Sequence, residues 1–280
     1  MSPELAQKLA DAVDRMPAFP QSVQRILEMT RDMGCAPKDL VQVIENDPLM
    51  TVKVLRVVNS AHYSLPKQVT SIGHSVVYLG FNTIKNLALG IAAIGMLPKA
   101  HLSGFDAQQY LLHSLATASI AKQLALGLND VDPMDCFIAG LLHDFGKVVF
   151  AQHMPTEFRK ALEISLWNES PLHLALQEVI GADHAVVGAM LAEKWRFAPH
   201  LVETIRSQFD PEPPDTSMVA CVFAANQISK KLKLGFGGNV HVAPFPVVIA
   251  RRLGGDLDTT LASLGNVHAL VDSSLIFTHI

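Results

Sequence analysis

Residues 40–60 read LVQVIENDPLMTVKVLRVVNS, and the Asp47-Pro48 step within them decides what kind of fold the chain can build. Asp47 offers a short side-chain oxygen to the free N–H groups of a helix start. Pro48 suits the first turn, where its missing N–H would have had no partner. The pair therefore closes one helix, predicted over residues 38–45, and opens another in which Leu49, Val52, Leu55 and Val58 share a face at helical spacing. That face is predicted to be core. Apolar residues recur with the same period along nearly the whole chain, whereas sustained period-two alternation of β-branched residues is hard to find, so the class is all-α.

Working outward, a helix is predicted over residues 21–33, before Gly34 and Pro37. Beyond the opening stretch, residues 64–70 read as a connection. Ser71 can cap a helix carrying Ile72, Val76 and Leu79 that Gly80 ends, and another helix runs to about residue 97. Residues 98–104 break the pattern before a long helix over 107–126, which places the junction between two packed helical subdomains there: 1–100 and 101–235. Further helices are predicted over 133–142, 155–167, 172–180, 184–195, 199–208 and 217–234. The GFGG at 235–238 lacks the strand and spacing of a dinucleotide loop and reads as a helix stop. It precedes a tail, 236–280, helical over 246–253 and 258–264 and packed on the domain.

Composition narrows the function. Charged residues make up 17% and mean hydropathy is +0.27, which calls for an extensive core and leaves room for an apolar partner face. The longest apolar run, residues 87–97, falls short of the roughly 20 residues that span a bilayer, and the first residues mix charges through an amphipathic pattern. The expectation is a cytoplasmic protein with neither a transmembrane helix nor a signal peptide. Cys35, Cys136 and Cys221 form no CxxC pair and are expected to be reduced. A net charge of −4 without a long basic stretch argues against nucleic acid as a partner.

The chemistry is concentrated in GLLHDFGKVVF, residues 140–150. His143 and Asp144 at a helix end can turn toward one divalent metal, Gly146 loosens the backbone, and Lys147 can hold a phosphate. His113 on the preceding long helix and His184 at the start of a later one complete a candidate set of three imidazoles and one carboxylate, suited to iron, manganese or zinc. Asn59 and Ser60 are expected to bond backbone at a helix end, and His62 and His74 to be surface or packing residues. Arg251-Arg252 and Lys230-Lys231-Lys233 read as solvated faces, with a cyclic-dinucleotide clamp as the alternative.

His113, HDFGK at 143–147 and DHAVVGAMLAEKW at 183–195 resemble successive motifs of the HD superfamily of metal-dependent phosphohydrolases. The resemblance implies that His113, His143 and Asp144 are metal ligands. The family's last ligand, an aspartate, falls on MVACVFAANQISKKL, where Asn226 stands in its place. Gln208-Phe209 replaces a histidine pair of the two-metal members, so a second metal is not expected. In an active member, Asp144 and Lys147 would be the catalytic residues. MPAFPQSVQRILEM at 16–29 and the stretch at 40–81 resemble HDOD domains, the HD-related output domains. That likeness implies a bacterial regulatory protein that binds a signalling protein or a ligand beside a degenerate HD site holding at most one divalent metal. The alternative is a metal-dependent phosphohydrolase acting on nucleotides or cyclic nucleotides. A third reading is a nucleotide sensor holding its ligand through Lys147.

Overall fold

A computed structural model describes residues 2–29, 35–60, 63–98, 104–272 and 274–279. The helices, in chain order, begin with α1 (Pro3–Arg15), α2 (Gln21–Met29), α3 (Pro37–Glu45), α4 (Pro48–Val58), α5 (Ile72–Leu79) and α6 (Phe81–Ile94). They continue with α7 (Ala107–Ala125), α8 (Pro133–Leu142), α9 (Gly146–His153), α10 (Pro155–Trp167), α11 (Leu172–Val179), α12 (His184–Lys194), α13 (Pro199–Arg206) and α14 (Ser217–Lys231). The tail adds α15 (Val247–Leu253), α16 (Leu257–Ser263) and α17 (Val267–Asp272). No strand occurs among the described residues, so the fold is all-α.

Asp47 caps α4 as its chemistry predicts: Met50 N donates to Oδ1 at 3.0 Å, and the Ser22 hydroxyl donates to Oδ2 at 2.7 Å, tying α2 to the cap. The buried stripe of α4 differs from the expected one. Met50, Val54, Val57 and Val58 face the core, while Leu49 is 65% exposed and Val52 57%. Apolar residues occupy both sides of this helix, so two stripes satisfy the same period and the neighbours decide between them. Asn59 closes α4 as expected, donating to Leu55 O at 2.9 Å and exchanging hydrogen bonds with both backbone groups of Val69. His62 and residues 99–103, where the subdomain junction was placed, lie outside the described residues.

The centre of the molecule is α7, packed against α8 and α14. Helix α6 lies on α8 and leads into the bundle of α2 to α5, while α9 and α12 flank the centre and carry α1. One apolar core runs from Leu9 to Phe277. Cys136 on α8 and Cys221 on α14, unrelated in sequence, are buried, free and in contact; their hydrogen bond and their burial push the Cys136 thiol up. The tail packs on α14 through α15 and α16 and on α7 through α17. Arg252 is no solvated residue: it bridges Asp130 at 3.0 Å and Asp215 at 2.7 Å, fastening α15 to the start of α14. Among the described residues no single helix is long and apolar enough to cross a membrane.

Candidate metal centre

The HDF of residues 143–145 is a tight turn between α8 and α9. Asp132 starts α8 by accepting from Met134 N at 2.7 Å, with Pro133 in the first turn, and the helix delivers His143 at its C-terminal end. Gly146 then begins α9. A Cβ there would stand 2.0 Å from the His184 carbonyl oxygen, so glycine is required for the close approach of α9 to α12 rather than to loosen the chain. That approach carries His184, at the first position of α12, onto the turn.

Four of the expected residues meet. Asp144 is fully buried, and its Oδ2 lies 3.3 Å from His143 Nε2 and 3.7 Å from His113 Nε2; its Oδ1 lies 3.1 Å from His184 Nε2. The ligand atoms of His113, His143 and Asp144 all fall within 4.8 Å of one another. Asn226 is buried on α14 with its Oδ1 unpartnered, and no hydrogen bond or ion pair among the described residues joins it to the other four. Gln208, where the resemblance places a histidine, props the turn: its Nε2 donates to the His143 carbonyl at 2.6 Å and to Ile205 O at 2.9 Å.

The protonation pattern follows from burial. His143 Nδ1 lies 2.7 Å from the Gly140 carbonyl, a hydrogen bond that orients the ring with Nε2 facing a carboxylate oxygen. Burial holds His113 well below the usual imidazole value against the pull of Asp144, and it lowers His184 as well, helped by the charge of Lys147. Burial alone would raise the Asp144 carboxyl, yet His143 and Lys147 outweigh it and keep the group well below the carboxylate range.

These donors fit one divalent ion. His113 Nε2 and His143 Nε2 are buried without a hydrogen-bond partner, and with Asp144 they make a set of two imidazoles and one carboxylate. An ion there would supply Lewis-acid activation of a phosphoryl group. The structure places a different cation against the same oxygen. Lys147, 1% exposed, donates from Nζ to Asp144 Oδ2 at 2.5 Å and to the Gly237 carbonyl at 2.6 Å. The lysine read as a phosphate holder is thus spent inside the protein. Gly237 also covers the cluster: a Cβ on it would lie 2.7 Å from His113 Cδ2 and 3.1 Å from Asp144 Oδ2. The GFGG segment is therefore a cover and not the stop of α14, which ends at Lys231 with Lys233 in the left-handed region at φ 54°.

A cleft of about 190 Å³ opens beside His184, lined by residues of α14, of the turn after α13 and of segment 239–246. His173 stacks on Phe209 at 4.0 Å, and Phe209 stands edge-on to His184 at 5.0 Å. Lys230 reaches this cleft from α14. It is mostly buried, and burial together with the Lys147 charge lowers it to about 8. The sequence reading gave Lys230 a solvated face first and a ligand clamp only as the alternative, although it lies one helical turn from Asn226 and so shares its face.

The likeness to known proteins agrees with this geometry. The HDOD domain profile matches residues 16–211. An HDOD domain protein from Geobacter sulfurreducens superposes with a TM-score of 0.82 at 26% identity, over 98% of this chain and 97% of that one. A candidate phosphohydrolase from Shewanella amazonensis SB2B superposes with a TM-score of 0.75 at 25% identity, over 96% and 98% of the two chains. In sequence, an uncharacterized protein of Treponema pallidum is 28% identical over 76% of this chain, and the ribonuclease Y of Mycoplasma mycoides 25% identical over 69%. The matched regions span 41% and 38% of those relatives. With the leading helices and the HD-type cluster both in place and the profile covering most of its length, the chain belongs to the HDOD domain family.

Proposed function

We propose that this chain is a cytoplasmic bacterial regulatory domain that works by binding, with its HD-type cluster kept as a closed, charge-balanced centre rather than as a hydrolytic site. The observation that carries the reading is the ammonium of Lys147 on Asp144 Oδ2 beneath the main chain of Gly237. Metal-assisted hydrolysis needs an open coordination position, and this lysine and this glycine take up the space. Exposed Leu49, Val52, Val77 and Tyr78 on the adjoining helices α4 and α5 support docking to a signalling protein as one mode of binding. The net charge of −4 speaks against RNA as a partner despite the ribonuclease relatives.

The test combines elemental analysis of protein purified without chelators and hydrolysis of bis(p-nitrophenyl) phosphate with Mn²⁺ present. Metal well below one ion per chain and no turnover above background are expected. Metal-dependent turnover that disappears in His143→Ala would establish instead the phosphohydrolase reading, which the unpartnered imidazole nitrogens of His113 and His143 favour.

A further inference from the structure

We infer that the cleft beside His184 is a binding site for a small organic phosphate carrying a flat ring, held at its phosphate by Lys230. The inference deepens the binding reading above and rests on it, since a domain that works by binding a ligand must have somewhere to put one. Lys230 lines the cleft, and no hydrogen bond or ion pair among the described residues occupies its ammonium. A mostly buried cation without a counter-ion is costly, and an anion arriving from solvent relieves that cost.

The donors around it match an oxyanion with several acceptors. Gln227 accepts from Ala243 N at 2.8 Å and Asn239 from His241 N at 3.1 Å, so both side-chain oxygens are spent on backbone. The amide N–H groups of these two residues are left as unspent donors on the lining that they share with Lys230. Phosphate can use such a set more fully than a carboxylate, which offers fewer acceptor oxygens. Two flat apolar surfaces also line the cleft, Phe209 and Phe223, and Phe209 is held in place by the stacked His173. Asp210, a carboxylate on the lining, disfavours a polyanion and keeps the class to a single phosphate group.

Isothermal titration of the full chain in EDTA, where metal-dependent turnover cannot contribute, tests the site with phenyl phosphate and inorganic phosphate as probes. Saturable binding of phenyl phosphate is expected, tighter than that of inorganic phosphate and weakened about tenfold or more in Lys230→Met. Asn239→Ala, on the partly exposed side of the cleft, is expected to weaken it several-fold. Lys231→Ala, which removes the neighbouring exposed cation paired with Asp258, is expected to leave it unchanged. The inference is overturned if neither probe binds saturably or if Lys230→Met, folded by circular dichroism, binds phenyl phosphate as wild type does. Should Lys230→Met not fold, unchanged affinity in Asn239→Ala overturns it equally. Equal affinity for the two probes overturns the ring-bearing class. None of these outcomes depends on whether the cluster hydrolyses anything, so the two readings fail separately.

Discussion

Lys147 is the residue whose removal separates a closed centre from a metal site. Without its ammonium, Asp144 is left as a buried carboxylate, and breaking such a pair costs about 3–5 kcal/mol. Lys147→Ala is therefore expected to melt well below wild type in EDTA. Mn²⁺ or Zn²⁺ should raise its Tm far more than that of wild type, because an ion can take the vacated place. No such difference in a thermal melt would show that lysine and metal do not compete. The folded Asp144 carboxyl lies below its unfolded value of 3.8, so its contribution is present at neutral pH and is lost as pH falls through and below that value. Asp144→Asn should accordingly have a shallower acid limb in a stability-against-pH curve. Gly146→Ala is expected to cost about 3 kcal/mol or more in urea denaturation, since its Cβ would collide with the backbone of His184. At this scale the residue types of the cluster and their order were legible in the sequence, because His143 and Asp144 are adjacent and need only a helix end to present them. It did not show that Lys147 turns inward or that Gly237 lies over His113, since both depend on a contact between residues 147 and 237 that no local pattern encodes.

The helices were largely legible because their start signals are chemical. Asp47-Pro48, Ser71 and Asp132-Pro133 begin α4, α5 and α8 where capping requires. Which face a helix buries was less legible when apolar residues lined both sides, and α4 is the sharpest case. Adjacent residues there make opposite expectations. Met50→Ala should cost about 2–5 kcal/mol, while Leu49→Ala should stay within about 0.5 kcal/mol, measured by denaturant midpoints at constant slope. Equal costs at the two positions would mean that α4 is rotated from the orientation described. Helix α9 had no such signal, because its first residue is a glycine selected by contact with α12.

Across the whole molecule the first helix is fixed to the HD-type half. Lys194 Nζ on α12 donates to the carbonyls of Val13, Asp14 and Met16 at 2.9, 2.8 and 3.3 Å, placing a cation on the carbonyl end of α1. Trp195 packs on Phe19 at 4.5 Å and on Phe145 at 5.4 Å, so one ring touches the N-terminal segment and the HDF turn together. Unfolding followed by tryptophan fluorescence should therefore share its midpoint with unfolding followed by far-UV circular dichroism, Trp167 adding only a solvent-exposed background at 91% exposure. Separate midpoints would show that the two packed helical subdomains expected on either side of residue 100 unfold independently. The segment after α14 has a further consequence. Gly237 gives its carbonyl to Lys147, and two residues later Asn239 begins the wall of the cleft, so both places are bounded by one short piece of main chain. A molecule that shifts this piece on entering the cleft also changes how readily the cluster beneath it exchanges lysine for metal. Thermodynamic reciprocity then makes the coupling run both ways by the same factor, so that such a protein would report one solute's concentration through its affinity for another.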